Sequence, residues 1–166
     1  MQSRLPIIIT FLFLACQVGA QEQPVISSSE IEKALTEKPR TRSLGRGVGV
    51  KAKVDLNVPF ELNSARLDPA AEEQLTQLSR ALTGDSLSAY RFEIAGHTDA
   101  SGAADYNRSL SEKRAETVMQ FLLDRGVSRE RLVAVGYGED RLLREDMPTH
   151  AMNRRVEVRN LGKASQ

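Results

Sequence analysis

Residues 90–126 leave this chain little freedom in how it folds. Tyr90, Phe92 and Ile94 alternate with Arg91, Glu93 and Ala95, the two-residue period of a strand with one buried face. A loop of small residues, GHTDASGA, follows, and then a helix-forming stretch over about residues 104–125 that Gly126 closes. At about 100° per residue, Leu110, Ala115, Val118, Phe121 and Leu122 share one apolar arc. Arg108, Glu112, Lys113 and Glu116 fall outside it. An amphipathic helix fed directly by a strand buries its arc against the sheet it has just left, as the crossover of a layered fold.

The flanking segments repeat this logic. Val48, Val50, Ala52, Val54, Leu56 and Val58 alternate with polar residues and Gly49, which predicts a first strand over 48–58 that Pro59 ends. Asn63 and Ser64 mark a turn. Asp68 as N-cap and Pro69 at the first helical position open a helix whose inner face is Ala71, Leu75, Leu78 and Leu82, with Gly84 as its stop. A third strand covers 132–135, and Gly136 and Gly138 lead into a polar loop that ends near Met152. The last strand spans 154–160, with Val156 and Val158 facing inward and Arg155, Glu157 and Arg159 outward. Arg154 shares the parity of the inward valines. The order βαβαββ predicts a two-layer α+β sandwich: a mixed sheet with two main helices on one face.

The N-terminal part has another character. Residues 1–20 read as a secretory signal: Arg4, a short apolar run from residue 7 to 16, then Val18 and Ala20 at the −3 and −1 positions of a cut before Gln21. The run is shorter than a membrane span of roughly 20 residues. Cys16 is the sole cysteine, so no internal disulfide forms; cleavage before it would instead yield a lipoprotein. Soluble export out of the cytoplasm is the expected outcome, and lipidation the alternative. Residues 21–47 read as a polar linker with a short helix over 30–36, capped by Ser29 and Glu32. Lys38, Arg40, Arg42 and Arg46 add a basic run, usually solvated. The folded domain is then 48–160, with a tail at 161–166.

Charge and composition narrow the partners. The chain carries 23 Lys and Arg against 22 Asp and Glu. Without residues 1–20 the balance is neutral, which gives no basic face for nucleic acid. There is no Trp. Catalysis finds little support. His97 and Asp99 form H-x-D, but with one further histidine, His150, they fall short of a zinc ligand set. No G-x-S-x-G or phosphate loop is present. His97 reads as a strand-end residue bonded to the loop backbone. No enzyme, metal or cofactor is expected.

Binding fits better. Arg114 and Asn107 lie within the apolar arc, and a cation on a core-facing side needs an anion or strong acceptors. Asp99, on the preceding loop, is the nearest candidate. Two readings stay open: Asp99 and Arg114 satisfy each other, or the pair is poised to hold a small zwitterion. In the second, Arg114, Arg154 and the helix N-terminus favour a carboxylate and Asp99 an ammonium, while Asn107 offers a donor and an acceptor.

The same residues carry a resemblance. GHTD at 96–99, YN at 106–107, LS at 110–111, RA at 114–115, GYGE at 136–139 and NRRVEV at 153–158 resemble, in this order, the OmpA-like C-terminal domain of Gram-negative envelope proteins, which includes the peptidoglycan-associated lipoprotein. The resemblance covers residues 48–160. It implies non-covalent binding of peptidoglycan through the diaminopimelate of the stem peptide, with Asp99 and Arg114 holding its free amino-acid end and Asn107, Leu110 and Arg154 contributing. Thr98 of GHTD joins this candidate set. No preceding β-barrel is expected, and the usual Pro soon after GYGE is missing. The alternative is a periplasmic interaction or scaffold module with weak or no wall binding, in which residues 38–46 make the contact. Protein partners are not indicated.

Overall fold

The structure is a computed structural model and describes residues 24–37, 51–61 and 63–164. Its elements are helix α1 (Ser28–Thr36), strand β1 (Lys53–Leu56), helix α2 (Ala71–Thr83), strand β2 (Tyr90–His97), helix α3 (Ala104–Asp124), strand β3 (Leu132–Gly138) and strand β4 (Val156–Lys163). The sheet order is β1-β4-β2-β3. β2 and β3 are parallel, while β4 is antiparallel to both β1 and β2. The predicted α+β architecture with a mixed sheet is therefore the one observed. β4 inserts between β1 and β2, so only the crossover through α3 joins adjacent parallel strands. Leu56, Phe92, Ile94, Leu132, Val156 and Val158 line the inner face of the sheet and share one core with the helices.

Two glycines set how closely the layers approach. A Cβ on Gly96 would lie 2.1 Å from the Ser111 carbonyl oxygen, and one on Gly136 would lie 2.3 Å from the Glu112 backbone nitrogen. α3 thus rests directly on the backbones of β2 and β3. Ser111, fully buried, accepts from Gly138 N–H and donates to the Arg108 carbonyl, each at 2.8 Å. This fixes the height and rotation of the helix that carries Asn107, Leu110 and Arg114.

Several expectations need correction. Helix α1 is part of the fold: Ile31 and Leu35 are fully buried in the common core. Gln74 of α2 accepts from Ile26 N–H at 2.8 Å and donates to its carbonyl at 3.1 Å, and Asn160 donates to the Leu35 carbonyl at 2.9 Å. The capping box is formed by Ser27 and Glu30, not Ser29 and Glu32. The signal segment, residues 38–50 and residues 165–166 lie outside the described residues, and β1 is regular only over four residues. Asp68 does not cap α2. It accepts from Ala70 N–H at 2.9 Å and so forms a turn that precedes the helix.

The outer face of β4 is not simply wet. Arg155 and Glu157 are buried, at 8% and 2% exposure, because they neutralise each other's neighbours. Lys53 donates to Glu157 at 2.6 Å, Arg159 also bonds to Glu157, and Arg155 Nε donates to Asp55 at 2.9 Å. The loop after β3 folds back here: the Arg141 carbonyl accepts from Arg155 at 3.3 Å, and the Arg141 guanidinium sits 3.6 Å over Tyr137. Alternation finds which face a residue occupies. It does not reveal that a loop from elsewhere covers that face.

Candidate functional site

β2, an interior strand, ends at His97, so Thr98 and Asp99 emerge at its C-terminal end in the loop before α3. Asp99 is buried to 8% exposure. Its Oδ1 accepts from Ser101 N–H at 3.0 Å and its Oδ2 from Arg154 Nη1 at 2.6 Å. Burial alone would raise its pKa. The hydrogen bonds from Arg154 and Ser101, with the Arg154 charge, outweigh that and hold it below the usual carboxylate value. A carboxylate has about four acceptor positions, so Asp99 keeps capacity for a further donor.

Arg114 does not meet Asp99 in an ion pair: no nitrogen–oxygen contact within 4.0 Å joins them, and Asp99 pairs with Arg154 instead. The reason is local geometry. Arg114 Nε donates to the Ser64 carbonyl at 2.9 Å, and the guanidinium carbon lies 4.9 Å over the Phe60 ring. The turn that presents Ser64 is set by Asn63, whose φ of 51° is left-handed. Among the described residues Nη1 and Nη2 of Arg114 have no hydrogen-bond partner. Burial lowers the Arg114 pKa and nearby Arg154 adds to this, against Tyr106 and Asp99, so an arriving anion would relieve the site. Arg154 itself lies just before β4, half exposed, and turns toward the loop rather than the core.

The remaining predicted residues gather around this pair. Asn107 is buried and donates from Nδ2 to the Asp99 carbonyl at 3.3 Å and to Glu139 Oε2 at 2.6 Å. Thr98 N–H donates to the Gly138 carbonyl at 2.9 Å, while its buried Oγ1 has no partner among the described residues. Leu110 is half buried one helical turn before Arg114. His97 departs from its expected role. Its ring nitrogens do not bond to the loop backbone; both are buried without a partner among the described residues, and the ring stacks on Tyr137 at 5.5 Å. Burial, with the Arg155 charge, lowers its pKa to about 4, which keeps it neutral.

A groove of about 500 Å³ is lined by Arg114, Arg154 and His97; Asn107, Thr98 and Leu110 are not among its lining residues. Val58, Pro59 and Phe60 form one apolar wall, Leu143 and Met152 another, and Arg114 and Arg154 supply its cations. Asp99 does not line the groove and reaches it through Arg154. Phe60, Ser64 and Glu139 escaped the sequence reading. Phe60 and Ser64 sit in the loop before α2, about fifty positions from the helix they support. Glu139 was read as the end of the GYGE motif, with no role at the site.

The arrangement has recognisable counterparts. The model of the OmpA family matches residues 59–155, more than half of the chain. The chain belongs to the OmpA family. The OmpA-family domain is 38% identical over 102 residues to the peptidoglycan-associated lipoprotein of Pseudomonas aeruginosa, covering 60% of this chain and 59% of that protein. It is 36% identical over 108 residues to outer membrane porin F of Pseudomonas fluorescens, covering 64% of this chain and 32% of the porin. The chain thus spans less than two thirds of these relatives. Among solved structures, the peptidoglycan-associated lipoprotein of Burkholderia pseudomallei matches with a TM-score of 0.53 at 30% identity, over 62% of this chain and 87% of that one. Among the described residues no helix is long and apolar enough to cross a membrane.

Proposed function

We propose that this OmpA-family domain binds peptidoglycan non-covalently by gripping the free amino-acid end of diaminopimelate in the stem peptide. It would thereby associate an exported protein with the wall, in the periplasm or at the outer membrane. Relatives named peptidoglycan-associated lipoprotein support the ligand class. The observation that carries the reading is the state of Arg114. Its guanidinium is oriented by Ser64 and Phe60, lines the groove, and among the described residues has no partner on Nη1 or Nη2, which leaves them to a ligand. Those two nitrogens suit a carboxylate in the paired geometry that guanidinium favours. Asp99, held ionised by Arg154 and Ser101, suits the neighbouring ammonium. The ammonium shares Oδ2 with Arg154 or displaces it, and Arg154 then turns to the ligand carboxylate. Thr98 and Leu110 border the loop and the aliphatic chain.

The role is adhesion, not turnover: nothing in the proposed steps forms or breaks a covalent bond. Co-sedimentation with purified diaminopimelate-type peptidoglycan tests it. Wild type should pellet with the wall, and Asp99→Ala and Arg114→Ala should remain in the supernatant. Retention of both variants by the wall, at wild-type levels, sinks the site.

A further inference from the structure

We infer that Glu139 gives the site its preference for an amine by locking the Asn107 carboxamide in one orientation, with both N–H groups spent on the protein and the oxygen left for the ligand. The inference rests on the peptidoglycan reading above and adds a positioning residue to it.

An asparagine side chain is ambiguous in principle: it offers a donor end and an acceptor end of nearly equal shape. Here the surroundings remove the ambiguity. Asn107 Nδ2 lies 2.6 Å from Glu139 Oε2 and 3.3 Å from the Asp99 carbonyl oxygen. A carboxylate oxygen and a backbone carbonyl accept, so nitrogen faces them. Flipping the amide would set oxygen against oxygen at 2.6 Å from a carboxylate, in a residue only 3% exposed. Oδ1 meanwhile receives no hydrogen bond from any described residue.

The consequence is chemical. Beside the Asp99 carboxylate, which Arg154 and Ser101 leave with spare acceptor capacity, Asn107 Oδ1 adds a second acceptor. An ammonium, with three N–H donors, satisfies both. A ligand carrying hydrogen in place of the amine leaves two acceptors short of donors, which is how a site rejects an analogue lacking a polar group. Glu139 does this through Asn107, from the far side of the amide, so it tunes selectivity without touching the ligand. Simple proximity of its charge would also favour an ammonium, and the two explanations separate by geometry. Glu139→Asp keeps the charge but shortens the arm by one methylene, so it no longer reaches Nδ2. Glu139→Gln keeps the length but both accepts and donates, so the amide is no longer held one way.

The test measures binding of two soluble stem peptides, one ending in meso-diaminopimelate and one with its free amine replaced by hydrogen, to the full exported chain by calorimetry. Wild type should prefer the amine-bearing peptide. Glu139→Asp should cut that preference about ten-fold, the size expected for losing one hydrogen bond to a charged group. Glu139→Gln should cut it in the same direction, and both variants should bind the deaminated peptide as wild type does. Unchanged preference in Glu139→Asp overturns the positioning role in favour of bare charge. Equal weakening toward both peptides overturns it in favour of a structural role. If wild type binds neither peptide, the peptidoglycan reading itself fails and this inference with it; wild-type preference that survives in both variants leaves that reading standing and removes only the inference.

Discussion

Arg154 Nη1 donates to Asp99 Oδ2 at 2.6 Å, and this contact, not one from Arg114, is the ion pair of the loop. It divides the two cations by task. Arg154, half exposed, keeps Asp99 ionised. Arg114 is buried, oriented by the Ser64 carbonyl, and has unspent donors among the described residues.

The two arginines should therefore respond differently to truncation. Arg114→Ala removes a preset donor pair and should weaken wall binding at least ten-fold, on the order of 1.4 kcal/mol or more. Arg154→Ala removes one contact to the ligand carboxylate but frees Asp99 Oδ2 for the ammonium, so its loss should be smaller. Arg114→Lys should not rescue, because a point charge replaces the planar fork. Binding isotherms of the three variants to wall fragments check the order; Arg154→Ala weaker than Arg114→Ala contradicts it.

Gly96 and Gly136 should be intolerant of the smallest side chain. Alanine at Gly96 puts a carbon 2.1 Å from a backbone oxygen of α3, and at Gly136 2.3 Å from a backbone nitrogen, where no side chain can yield. Overpacking of this kind costs about 1–3 kcal/mol or more. The helix must also move away from the sheet, carrying Asn107 and Arg114 with it. Urea denaturation should show the lost stability, and wall binding should fall further than the unfolded fraction explains.

What was legible in the chain follows from which physics is local. Ala71, Leu75, Leu78 and Leu82 are all buried because helical period and core face are one property of a short segment. Ser64 against Arg114 was not legible, since it depends on how a left-handed turn at Asn63 places a carbonyl fifty residues from its partner. Arg114 was singled out by charge on a core-facing arc and Asp99 as the nearest carboxylate on the preceding loop, yet charge alone did not say which of two arginines the carboxylate would take. Glu157 looked solvated from strand parity and is buried, because its neutralisation comes from β1 and from its own strand.

Helix α1 should contribute to stability as a core element. Leu35 has no exposed surface and packs in the same cluster as α2 and the sheet. Leu35→Ala should cost about 2–5 kcal/mol, as buried leucine truncations do. Chemical denaturation should show this as one shifted cooperative transition. An unchanged midpoint would mean that residues 24–37 do not belong to the folding unit.

Acid should destabilise the domain partly through His97. Its folded pKa is depressed from 6.5 to about 4. Between those values the unfolded chain binds a proton that the folded chain refuses, so unfolding takes up protons and stability rises with pH. The contribution is complete above pH 6.5 and falls away as pH drops toward 4, a loss on the order of 3 kcal/mol across the window. Asp99 acts in the same direction lower down: its depressed pKa stabilises the fold above the ordinary carboxylate value, and that stabilisation is lost as acid protonates it in the folded state. His97→Phe keeps a ring to stack on Tyr137 and removes the titrating nitrogens. Unfolding free energies of wild type and His97→Phe, measured at pH 7 and pH 4.5, isolate the term. The wild type should lose more stability between the two than the variant does, and parallel losses would show that the buried imidazole does not resist protonation.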